Sequence, residues 1–108
     1  MAWIYLIIAG IFEIGWPLGF KLAQTQGSSP FWISFSIISM SLSGLFLYLA
    51  QRSIPIGIAY ASWAGTGAVG TFLLGVLFFR DNSPLLSWIG LILIVSGIVF
   101  MKISHLNA

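Results

Sequence analysis

The chain has 108 residues, 59% of them hydrophobic and 6% charged, with no cysteine, one histidine and a net charge of +2. Soluble domains devote about a quarter of their residues to charge, so that class is excluded. The cysteine and histidine counts exclude disulfide, thiolate and imidazole metal sites, no cofactor is expected, and charges this sparse give no footprint for nucleic acid.

Four apolar runs, at about residues 2–19, 31–50, 54–79 and 85–103, are separated by the few charges and by Pro30, Pro55 and Pro84. Each approaches or exceeds the about 20 helical residues that cross a bilayer core of about 30 Å. The runs are continuously apolar rather than alternating, which predicts an all-α membrane protein, a single four-helix domain over residues 1–108, and not a barrel. Met1-Ala2-Trp3 has no basic n-region and the first run contains Glu13, so no cleavable signal peptide is expected.

In the first run Glu13 stands roughly 18 Å along the helix at 1.5 Å per residue, near mid-membrane. A charged carboxylate at that depth costs at least ~2.5 kcal/mol and marks an ion or proton path, unless it is protonated and serves only as an interhelical hydrogen-bond donor. Apart from Lys102 at the extreme end of the fourth run, no basic residue lies inside any run, so none at its depth neutralises it, which favours the path. A carboxylate that holds either a proton or a cation is what antiport needs. Ala9, Gly10, Trp16, Pro17 and Phe20 share its helical face. Trp16 either walls the site and orients Glu13 through its indole N–H, or is lipid-facing bulk like Trp3 and Trp32.

In the second run Ser39, Ser41, Ser43 and Gly44 thin the side chains, and Ser43 is a candidate hydrogen-bond partner for Glu13 or a ligand. In the third, Tyr60 and Trp63 stand three apart on one face, either as rings that enclose a cation or as ordinary packing residues. Gly65, Gly67 and Gly70 follow, suited either to a bend that opens a cavity alternately to each side or to close helix packing. In the fourth, Gly90, Ile94, Gly97 and Met101 recur on one face without an ionisable group, which reads as a packing seam suited to dimerisation.

Even spans place Arg52 and Lys102 on one side of the membrane and Lys21 and Arg80 on the other, so the basic residues that orient membrane proteins are tied. The tie either arises by chance in so small a chain or permits insertion in both orientations. Inverted copies could then pair, reproducing the inverted-repeat symmetry of larger transporters.

Taken together, Met1-Ala2-Trp3, Ala9-Gly10-Ile11-Phe12-Glu13 followed by Trp16, Lys21, Pro55-Ile56-Gly57, Ala59-Tyr60-Ala61 with Trp63, and the run from Gly65 to Gly70 resemble the small multidrug resistance family, and within it the guanidinium-exporter branch. The resemblance covers essentially the whole chain. It implies a multi-pass protein of the bacterial inner membrane, an antiparallel dual-topology homodimer, and proton-coupled export of guanidinium-type cations or of lipophilic quaternary ammonium compounds. It casts Glu13 as the shared proton and substrate site, Trp16, Ser43, Tyr60 and Trp63 as its lining, and Gly90 with Gly97 as the dimer seam. Pro17 departs from the small residue usual in the branch, which leaves the breadth of substrate open. Competing readings are a dual-topology small-ion channel and a non-transporting helper subunit; an enzyme is not expected, because one buried carboxylate has no nucleophile, metal or second acid to work with.

Overall fold

Ser28 and Ala108 apart, every residue of the chain is described by the computed structural model, which therefore covers 1–27 and 29–107. The helices are α1 (Ala2–Thr25), α2 (Ser29–Gln51), α3 (Ile56–Phe78) and α4 (Leu85–Asn107). All four are long and apolar enough to cross a membrane. At 1.5 Å per residue, 23 residues measure about 35 Å, more than the hydrocarbon core requires.

Helix ends follow local chemistry more than hydropathy. α1 continues past the expected end at Gly19 to Thr25, because Lys21, Leu22, Ala23 and Gln24 are strong helix formers even where they are less apolar. It closes with the Gln26 N–H donating to the Leu22 carbonyl at 2.7 Å. Gly27 then takes φ 81°, a left-handed conformation that glycine adopts without a Cβ clash. α2 begins two residues earlier than expected, at Ser29, with Pro30 in the first turn, where its missing N–H has no helical acceptor to lose. The Ser29 hydroxyl donates to the Ala23 carbonyl at 3.0 Å and fastens the turn to the end of α1. α3 starts after Pro55 rather than at Ile54, and Ile54 is buried beneath the turn.

α1 is the central helix, packed along α2 and α3, while α4 packs along α3. The apolar core is small: Leu6, Ala50, Ile54 and Ala59, where α1 begins, α2 ends and α3 begins. Elsewhere the helices meet through small residues, as expected where lipid removes the hydrophobic drive for association and close approach must supply it. A Cβ on Gly15 of α1 would run into Ser39 of α2, and one on Gly19 into Ser36. The Ser36 hydroxyl also donates across the seam to the Trp16 carbonyl at 2.8 Å. On α3, Gly65 admits Ile94 and Ile98 of α4, Gly67 admits Glu13, and Gly70 admits Ile14. α3 runs through these glycines as one unbroken helix.

None of the residues of α4 whose burial is described is buried. Its far end is tied to α1 by Trp3 Nε1, which donates to His105 Nδ1 at 3.2 Å. Nothing among the described residues lies within 4 Å of a Cβ built on Gly90 or Gly97. The molecule is flat, with Cα extents of 48 × 34 × 16 Å, so its thin dimension is less than two helix diameters.

Candidate functional site

Glu13 occupies the middle of α1, and the helix itself supplies its first partner. Trp16, one turn on, donates its indole N–H to Glu13 Oε1 at 2.7 Å, as the spacing of three along a helix allows. From the other side the methylene stem of Glu13 rests on Gly67 of α3, where a Cβ would collide with Glu13 Cγ. The carboxylate is thus held between an indole donor and a bare stretch of helix backbone. A carboxylate has about four lone-pair sites, so the indole bond leaves acceptor capacity for a ligand.

Beside it opens a cavity of about 270 Å³ lined by Glu13, Trp16, Pro17, Ala64, Gly67, Ala68 and Thr71, with no basic residue among them. Pro17 stands inside α1, four residues after the carboxylate. Lacking an N–H, it leaves the Glu13 carbonyl without its ordinary helical donor. The opposite wall is one face of α3, built from residues at helical spacing whose small size makes the space.

Ser43 lies next to the carboxylate, but its hydroxyl proton goes to the Ala9 carbonyl at 2.7 Å. One proton cannot serve both acceptors, and the Ala9 bond has the direct geometry. Trp63 Nε1 donates to the same hydroxyl oxygen, also at 2.7 Å. Ser43 is fully buried, so a single side chain joins α1, α2 and α3 at the level of the site. Tyr60 stands against Trp63 with ring centroids 5.4 Å apart and is 58% exposed.

The structure therefore brings Glu13 and Trp16 into direct contact and links Ser43 to Trp63 and Trp63 to Tyr60. Tyr60 and Trp63 do not line the cavity beside Glu13 in the single chain. Ala64, Ala68 and Thr71 do line it; with Gly67 they recur at three and four residues along α3, a periodicity visible in the sequence but without any chemical label. Gly90 and Gly97 lie on α4, away from the carboxylate and facing open space.

Over residues 1–94 the chain matches the family profile described as Small Multidrug Resistance protein, a stretch that takes in α1 to α3 and the first part of α4. The chain belongs to the small multidrug resistance family. Within that family it is similar to a protein named Guanidinium exporter from Yersinia pseudotuberculosis, with 39% identity over 105 residues, 96% of this chain and 99% of the relative. Proteins of the same name from Salmonella typhimurium and Citrobacter freundii are also 39% identical over 105 residues, covering 96% of this chain and 98% of theirs. Four membrane-crossing helices together with this family make the chain a multi-pass protein of the bacterial inner membrane.

Proposed function

We propose that this protein is a proton-coupled antiporter that exports guanidinium-type small organic cations, working as an antiparallel homodimer of oppositely inserted copies. The observation that carries the reading is Glu13: a mid-membrane carboxylate oriented by Trp16 beside a cavity with no basic residue in its lining. Such a group is neutralised either by a proton or by a cation, and that exclusion couples the two fluxes. The relatives named for guanidinium export support the substrate class. So does the chemistry, since a planar donor of several N–H groups suits a carboxylate with free lone pairs.

In this reading Trp16, Ser43, Tyr60 and Trp63 complete the lining when two copies face each other. Gly90 and Gly97 form the dimer seam, and Gly65, Gly67 and Gly70 are the compliant stretch of α3 as the cavity opens to either side. The flatness of the chain and the open face of α4 support the dimer, because one chain encloses its cavity on one side only. The balanced charges, with Lys21 and Arg80 at one end and Arg52 and Lys102 at the other, support insertion both ways.

The test is cation uptake into liposomes containing the purified protein, driven by a proton gradient, with guanidinium and a tetraalkylammonium ion compared. Guanidinium exchange is expected in the wild type and is lost in Glu13→Gln, which keeps the fold and the dimer. Normal proton-coupled exchange by Glu13→Gln would overturn the proposal. Flux that ignores the proton gradient would make the protein a channel, and exchange of tetraalkylammonium as well would widen the substrate range to quaternary ammonium compounds.

A further inference from the structure

The chain has two acidic residues, Glu13 and Asp81, and they line neighbouring cavities. The second cavity, of about 200 Å³, lies between α1 and the end of α3, and its wall includes Pro17, Lys21, Thr71, Phe79 and Asp81. Pro17 and Thr71 also line the cavity beside Glu13. The two spaces therefore share that pair as a common wall, with Glu13 on one side of it and Asp81 on the other.

Local structure aims the Asp81 side chain at this cavity. Arg80 takes φ 56°, a left-handed conformation uncommon for a residue with a Cβ, and turns the chain back on the end of α3. The Asp81 N–H then donates to the Gly75 carbonyl at 3.0 Å. Gly75 is buried, and a Cβ on it would collide with Asp81 Oδ2, so the carboxylate lies directly on the helix backbone. Across the cavity, Lys21 Nζ sits 5.9 Å from the centroid of the Phe79 ring. A carboxylate to accept N–H donors, an aromatic ring to receive positive charge and apolar walls between them are what a small organic cation needs. The lysine ammonium already uses the ring in this way.

We infer that this outer cavity is a second, weaker cation site, in which Asp81 captures a guanidinium-type cation from water on its way to Glu13 and Lys21 competes for the same place. The onward step rests on the function proposed above; the capture step does not. In an antiparallel pair the same site would open on both membrane faces, one from each copy.

The first experiment titrates guanidinium chloride into the full-length Glu13→Gln protein in lipid bicelles, following backbone amide chemical shifts against sodium chloride at matched ionic strength. Glu13→Gln removes the inner carboxylate, so the outer one is read alone. Saturable shifts at Lys21, Phe79 and Asp81 are expected, abolished by adding Asp81→Asn. Lys21→Gln is expected to tighten the apparent affinity by about two- to fivefold, the range an exposed charge interaction supports. Shifts that are absent, do not saturate or survive Asp81→Asn would overturn the inference.

The second experiment measures transport by the otherwise wild-type chain, where Asp81→Asn should raise the KM for guanidinium by about two- to fivefold at low salt, leave the maximal rate unchanged and lose its effect as salt screens the charge. An unchanged KM would also overturn the inference. A wild-type protein that gives the Asp81 shifts yet exchanges nothing would remove the proposed function and leave this site standing.

Discussion

At the scale of single residues, Glu13 is fixed as much by an absence as by a bond. Trp16 contributes the hydrogen bond, while Gly67 contributes room, since any side chain there would meet the Glu13 stem. Gly67→Ala must displace Glu13, and overpacking of roughly 1–3 kcal/mol, if carried into the transport barrier, corresponds to a loss of exchange of about five- to 150-fold. The check is guanidinium flux in proteoliposomes with Gly57→Ala as control, because a Cβ at Gly57 meets nothing within 4 Å; equal flux from both variants would show that Gly67 does not position the carboxylate. Glu13 and Trp16 were legible in the sequence, one as a charge in an apolar run and the other by its spacing. The α3 wall was not, because Ala64, Ala68 and Thr71 shape the cavity by being small and carry no chemical signature. Nor was the destination of the Ser43 proton, since the Ala9 carbonyl that receives it is backbone, and no residue type announces a backbone acceptor.

At the scale of elements, the glycines of α3 and α4 have different surroundings. Gly65, Gly67 and Gly70 each receive a side chain from a neighbouring helix, whereas Gly90 and Gly97 face open space. Gly97→Leu is therefore expected to leave insertion and helix content of the chain unchanged while lowering the dimer fraction, as counted by single-molecule photobleaching in lipid. A dimer fraction equal to wild type would remove Gly97 from the proposed seam. The four helices were legible because a backbone that is apolar over a bilayer's full width must satisfy its own hydrogen bonds, and a continuous helix does so within one segment. Their ends were harder to read, as the last turn of α1 shows: from Phe20 to Thr25 helix propensity carries on after hydropathy has faded.

At the scale of the molecule, two basic residues stand against two, and nothing in the charge pattern commits the chain to one orientation. Changing Gln51 and Ser53 to Lys, beside Arg52, makes the count four against two and should drive every copy to place that turn in the cytoplasm. Orientation reporters at the C-terminus are then expected to read one side only, and exchange to fall with the loss of oppositely inserted partners. Full exchange from a uniformly oriented population would rule out the antiparallel requirement. The exposed α4 carries a further implication for how mutations register. Since its own chain buries none of the residues described there, whatever free energy α4 contributes in the proposed dimer obeys mass action and depends on how many copies share a given area of lipid. A substitution on that face is then silent in a dilute bilayer and expressed in a crowded one.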